Sequence, residues 1–233
     1  MILWIIALST KLVIFGTSNI LSDLLDAAYS VGWSVSTIVV HEPESIEPRS
    51  VPLQERLARV AEVWDAPQVT TLDAFTPGEG ESYLLGPTTP RRRHLAELVR
   101  QRWGLRFCTL VHRTAYVSPL AKLAEGVFVG ANSVIAPGTI LDEHVFVNRG
   151  VTLGHDNRIG AFSRIQPGAN LGGLSVYGRG VTVGLGATVL ERLCIGDHAV
   201  IAGGAVVLAD VPAAVMVAGV PATVRKQLAP NHD

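Results

Sequence analysis

Aromatic side chains are scarce in this 233-residue chain: Phe, Trp and Tyr make up 6% of it, although 48% of its residues are hydrophobic. A core built on a few large rings is therefore excluded, and one of many small aliphatic side chains is implied. An excess of charge of either sign is lacking too. The formal net charge is -1, which gives no overall pull toward nucleic acid or anionic lipid, so neither is expected as a partner. The basic run Arg91-Arg92-Arg93 is too short to alter that and reads as the solvated start of a helix. Cysteine is limited to Cys108 and Cys194. They form no CxxC or ligand-like spacing, so a disulfide framework is excluded, no metal is expected, and a reduced, cytoplasmic setting is the simplest reading. Long hydrophobic runs are missing as well. Met1–Leu8 is apolar, but Ser9, Thr10 and Lys11 cut it short of the roughly 20 residues a membrane span needs, and it lacks the basic start of a secretory signal. Met1–Thr10 reads as an extension, or a misassigned start, ahead of a core strand.

What is present divides the chain in two. Lys11–Phe15 is a short apolar run closed by Gly16, which suits a buried parallel strand. Ser18 or Asn19 can cap the helix that follows, where Ile20, Leu21, Leu24, Leu25 and Ala28 recur at helical spacing. Gly32 ends that helix and Val35–Val40 reads as a second strand, completing a βαβ unit. Helices are expected over Gln54–Trp64 and Arg91–Trp103, with strands at Tyr83–Leu85 and Phe107–Val111. A small Rossmann-like α/β domain is thus placed at 11–110.

Beyond it the texture changes to Gly, Val, Ile and Ala. Stepping by six from Val117 gives Val117, Leu123, Val129, Ile135, Leu141, Val147, Leu153, Ile159, Ile165, Leu171, Tyr177, Val183, Val189, Ile195, Ile201 and Val207, every one apolar. Glycine often follows, and the position two before each is usually small or β-branched, as at Ala121, Ser133, Thr139, Ser163 and Ala169. A sandwich strand would lose this phase at its first turn. A phase held without insertion is the mark of a solenoid in which three hexads close one coil, with the aliphatic residue pointing inward. Small residues serve the corners, where a bulky side chain would collide. Tyr177, the single ring of the inward series, reads as core, and Asn148 and Asn170 as stacked corner amides.

Counting by coils also stacks Gly173 on His155, one strand spacing away. Asp156 can orient the imidazole or stabilise its charge. A base and a flexible backbone amide then lie within reach of one reacting atom, which is what general-base acyl transfer needs.

The turn Phe15-Gly16-Thr17-Ser18, the linker Leu110-Val111-His112 with Val117-Ser118-Pro119, the stretch Gly154-His155-Asp156 and the closing Ala218-Gly219-Val220-Pro221-Ala222 resemble the bacterial sugar O- and N-acetyltransferases. That family joins a Rossmann-like domain to a left-handed β-helix of hexapeptide repeats, which the resemblance places here at 111–226. It includes UDP-4-amino-sugar N-acetyltransferases and relatives of sialic acid O-acetyltransferase. The resemblance implies acetyl-CoA as cosubstrate, His155 as general base with Asp156 beside it, and Arg164, Gly173, Leu185 and Gly203 at the acetyl-CoA site. It also implies a sugar or nucleotide-sugar acceptor held near Gly16, Ser18, Asn19 and His41, and a homotrimer in which Leu185 and Gly203 of one subunit serve a neighbour's His155. Three departures stand out. The family carries a histidine at the place of Arg164. Its glycine-rich GxxGxG turn is here Gly16-Thr17-Ser18-Asn19-Ile20-Leu21, and the acidic pair after its second strand is His41-Glu42. These changes bear on a UDP-sugar acceptor more than on acetyl transfer. A sialic acid or amino alcohol acceptor, or a β-helix used only for assembly, are the alternatives. A zinc hydratase like the γ-class carbonic anhydrases would need three histidines on one metal, and the coil frame gives His144, His155 and His198 no common site.

Overall fold

The computed structural model describes residues 10–44 and 50–228; the reading of Met1–Thr10 as an extension therefore falls, Thr10 apart, outside the described residues. The hexad phase becomes a strand register. Lys122, Ile140 and Arg158 pair in parallel, as do Phe128, Phe146 and Arg164, and Val134, Thr152 and Asn170. Each two-residue strand ends in a turn, and three strands, one in each of three flat sheets, complete a coil. Face I runs from Leu110–Val111 to Val215–Ala218 and is closed by the antiparallel strand Thr223–Gln227. Face II runs from Tyr116–Val117 to Val206–Val207, and face III from Lys122–Leu123 to Cys194–Ile195.

The inward series forms the core of this prism. From Val129 to Val207 each member is at most 3% exposed, Tyr177 included. Val117 and Leu123 are half-buried because they sit in the first coil, with no coil beneath them. The small corner residues have a second task. Ser163 Oγ donates to Gly178 O at 3.0 Å and accepts the Val181 N–H at 3.0 Å, and Ser133 does the same with Asn148 O and the Val151 N–H. These hydroxyls satisfy backbone groups that the turns would otherwise leave buried and unpaired.

The N-terminal part is a parallel sheet in the order β3-β2-β1-β4. Its elements are β1 (Lys11–Phe15), α1 (Leu21–Ser30), β2 (Ser34–Val40), α2 (Leu53–Ala61), β3 (Gln68–Thr71), β4 (Glu81–Leu85) and α3 (Arg92–Trp103). Three expectations are corrected. Gln68–Thr71 is an additional strand; it is polar and mostly exposed at the sheet edge, so it carries no apolar run. Phe107–Val111 adds no strand to this sheet: the Cys108 N–H donates to Tyr83 O of β4 at 2.9 Å, but the last two residues, Leu110–Val111, pair with Phe128–Val129 and open face I. Neither Ser18 nor Asn19 caps α1, whose N-cap is Ile20 with no side-chain hydrogen bond. Ser18 Oγ donates instead to Gly86 O at 2.8 Å, tying the β1 turn to the β4 turn.

This layer sits on face I. The outward Leu110, Phe128 and Phe146 are buried with Leu21, Leu24 and Leu25 of α1 and with Leu12 and Ile14 of β1, and the two phenylalanine rings stack at 4.9 Å. Ion pairs rim the contact: Arg149 with Asp23 at 3.0 Å and His112 with Asp26 at 3.2 Å.

Candidate active site

His155 and Asp156 form the turn between face II and face III, between Thr152–Leu153 and Arg158–Ile159. His155 Nδ1 lies 2.8 Å from Asp156 Oδ2. A carboxylate only accepts, so Nδ1 carries the proton and donates it, leaving the Nε2 lone pair facing outward as a base. Both side chains are 56% exposed, so the pair is open to a substrate. Asp156 adopts a left-handed backbone, φ 56°, and its N–H donates to Pro137 O at 2.9 Å. A side chain at Gly138, directly below, would collide with the Asp156 carboxylate.

Gly173 lies one coil above, as the coil count expected. A Cβ there would sit 2.8 Å from His155 O and 3.0 Å from its Nε2, so only glycine leaves the ring its place. The Leu174 N–H donates to His155 O, whereas the Gly173 N–H has no protein acceptor among the described residues. Asn157, which the sequence reading missed, braces this corner. Its Nδ2 donates to Gly154 O at 2.8 Å and Gly172 O at 2.9 Å, and its Oδ1 accepts the Ser175 N–H. The signal was available: Asn157 is the one amide at the position two before an inward residue.

The other expected residues lie elsewhere. Leu185 and Gly203 stack at the corner between face I and face II, where Leu185 O accepts the Gly204 N–H and the Leu185 side chain is 64% exposed. One chain does not bring them to His155. Arg164 projects from face I, with Nε donating to Thr182 Oγ1 at 3.1 Å, into a cleft of about 880 Å³ at the carboxyl ends of β1 and β4. In an open parallel sheet this is where the strand order reverses and ligands lodge. Ser18, Asn19 and His41 line the cleft with Arg164. Gly16 does not; it lies behind them at φ 80°, where a Cβ would press on Pro87, His41 and Leu95. Burial lowers the pKa of His41 against the opposing pull of Glu42.

Arg92 corrects a further expectation. It is not solvated but 4% exposed. Its guanidinium donates to the carbonyls of Thr88, Thr89, His144 and Ser163, which is how so large a cation can be buried at the domain junction. Burial, together with the neighbouring Arg164 charge, pushes its pKa down to about 9. Burial likewise raises the Cys108 thiol to about 12, so it is no nucleophile. His144 and His198 share one corner three coils apart, and His155 occupies another. Among the described residues no group of three His, Cys, Asp or Glu is placed to hold a metal ion.

No family model matches the chain. Its fold is similar to the acetyltransferase domain of PglB from Neisseria gonorrhoeae, solved in complex with acetyl coenzyme A. The two are 27% identical with a TM-score of 0.77, covering 93% of this chain and 100% of that one. It is also similar to a histidine-to-asparagine variant of perosamine N-acetyltransferase from Caulobacter crescentus, in complex with CoA and GDP-perosamine, at 25% identity and a TM-score of 0.79 over 93% and 97% of the two chains. In sequence it is 34% identical over 110 residues to serine acetyltransferase of Synechococcus elongatus, covering 46% of this chain. That match spans only 41% of the relative's length. Fold and repeat together define a left-handed β-helix protein of hexapeptide repeats. Within that class the chain is similar to acetyltransferases, and shares its two-part architecture with the PglB acetyltransferase domain.

Proposed function

We propose that this protein transfers an acetyl group from acetyl-CoA to an amine or hydroxyl of a sugar acceptor. The N-terminal layer, 11–110, would hold the acceptor and the β-helix, 111–226, would perform the transfer. The observation that carries this reading is the corner itself: a base oriented by a carboxylate at 2.8 Å beneath a glycine N–H that no protein group among the described residues uses. His155 Nε2 takes the proton of the acceptor amine or hydroxyl as it attacks the thioester carbonyl, a role worth about 10²–10⁴ in rate. Asp156 holds the imidazolium that results. The Gly173 N–H donates to the oxyanion of the tetrahedral intermediate, an interaction worth a few kcal/mol. The intermediate collapses by expelling the CoA thiolate, which takes the proton back from His155.

An amine on a nucleotide-linked sugar is supported by the similar perosamine N-acetyltransferase, which was solved with CoA and GDP-perosamine. Leu185 and Gly203 lie on a different corner from His155, which fits a homotrimer whose sites form between subunits. His155→Ala should lower kcat by about 10²–10⁴-fold while acetyl-CoA still raises the Tm. Near-normal turnover would overturn the base assignment. A wild-type protein whose Tm ignores acetyl-CoA would favour a β-helix used only for assembly.

A further inference from the structure

Arg164 is the one β-helix residue among those lining the N-terminal cleft. On its outward ladder along face I the neighbours are Phe146 below and Thr182 above. Phe146 is already covered by the N-terminal layer, so Arg164 stands at the edge of that contact and closes the cleft floor. Its Nε is spent on Thr182. Its two terminal nitrogens have no acceptor among the described residues.

The charge around it is unbalanced. Arg92, buried beside it, has its donors on four carbonyls and no carboxylate. Arg91 lines the same wall and Arg56 the opposite one. The acidic residues among the described lining are Glu42, an exposed side chain 3.8 Å from His41 Nε2, and Glu44, which accepts the Leu53 N–H. The Nδ1 of His41 faces Gly16 behind the cleft wall and is buried without a hydrogen-bond partner among the described residues. A buried cation without a counter-ion is costly, and a free guanidinium fork beside it suits a planar or tetrahedral anion that accepts two hydrogen bonds. The turn after β1 is poorly suited to that task. Of its family pattern only Gly16 remains, and it lies behind the cleft wall.

We infer that Arg164 is a specificity-determining residue that reads an anionic group, phosphate or carboxylate, on the acceptor, with the charge of Arg92 supporting it from beneath. Recognition thereby moves from backbone amides of the first turn to a guanidinium supplied by the β-helix, across the domain junction. The inference rests on the proposed acetyl transfer only in calling the ligand an acceptor.

The test uses full-length protein saturated with CoA, so that the phosphates of the cosubstrate do not compete. Inorganic pyrophosphate and malonate are titrated calorimetrically into wild type, Arg164→Gln and Arg164→Lys. The glutamine can keep the bond to Thr182 without the charge. Either anion should bind wild type, bind Arg164→Gln about tenfold or more weakly, and bind Arg164→Lys in between, with CoA affinity changed less than about twofold. Stronger pyrophosphate binding assigns a phosphate, stronger malonate binding a carboxylate. Unchanged anion affinity in Arg164→Gln, no binding of either anion to wild type, or a loss of CoA affinity of the same size would overturn the inference. Failure of the proposed activity looks different: no acceptor would release CoA thiol, while anion binding would still depend on Arg164.

Discussion

At Gly173 a methyl group decides whether the imidazole keeps its position. The added carbon of Gly173→Ala would stand 2.8 Å from His155 O and 3.0 Å from Nε2, closer than real side chains come. The ring must tilt away from the carboxylate that orients it, and the Gly173 amide above it loses its line to the reacting carbonyl. The variant should fold with a somewhat lower Tm, because Gly173 is buried against a single turn, and should lose about tenfold or more in kcat. Steady-state kinetics set against the Tm would show this; a lower Tm with unchanged kcat would mean that the glycine serves only packing. Asn157 belongs to the same scale: it touches no substrate, but three of its hydrogen bonds hold the two turns that carry His155 and Gly173.

Among the elements, the junction between α3 and the prism carries the pH dependence. His144 is 1% exposed, stacked on Phe162 at 4.9 Å and edge-on to Phe107 at 4.8 Å, and its Nε2 faces Arg100 at 3.2 Å. Burial, then the charges of Arg100 and Arg92, push its pKa down from 6.5 to about 3. The folded protein therefore keeps this ring neutral while the unfolded chain takes up a proton below 6.5. The stabilisation is complete above that value and is lost as pH falls toward 3, by roughly 2 kcal/mol at about pH 5. His144→Asn, which tolerates the left-handed backbone at this position, should flatten the stability slope between pH 6.5 and 4.5 in denaturant titrations. An unchanged slope would show that other groups set it. Glu125, held low by hydrogen bonds from Phe107, Arg100 and Arg106 against its own burial, acts only below about 4.5.

The elements also show what was legible beforehand. The solenoid could be read from spacing alone, because one inward side chain per hexad is a local rule repeated without exception from Val117 to Val207. The stacking of Gly173 on His155 followed from the same count. β3 was not legible, since a polar edge strand such as Gln68–Thr71 leaves no hydrophobic signature. Arg92 was misread because its burial depends on carbonyls of Thr88, His144 and Ser163, which only the docked layers bring together. Arg164 was legible as an outward residue, but which surface it would face was set by the packing of α1 and β1 on Phe128 and Phe146.

For the whole molecule, the separation of His155 from Leu185 and Gly203 onto different corners makes a shared site testable. His155→Ala and Gly203→Trp should each be inactive alone. Co-expressed, they should regain up to about a quarter of wild-type activity, because random mixing leaves that fraction of subunit junctions with both halves intact. Absence of recovery, with mixed oligomers confirmed by mass spectrometry, would mean that Gly203 does not serve a neighbour's His155.

Face I ends differently from the other two. Thr223–Gln227 turns back and pairs antiparallel with Val215–Ala218, in a sheet whose other neighbours all run parallel. A stack of identical coils has no intrinsic length, and its last strand offers the next molecule the same template that each coil offered its successor. The reversed strand changes the sense of that template on the face that carries the N-terminal layer, so a further coil could not extend the parallel ladder of face I past it.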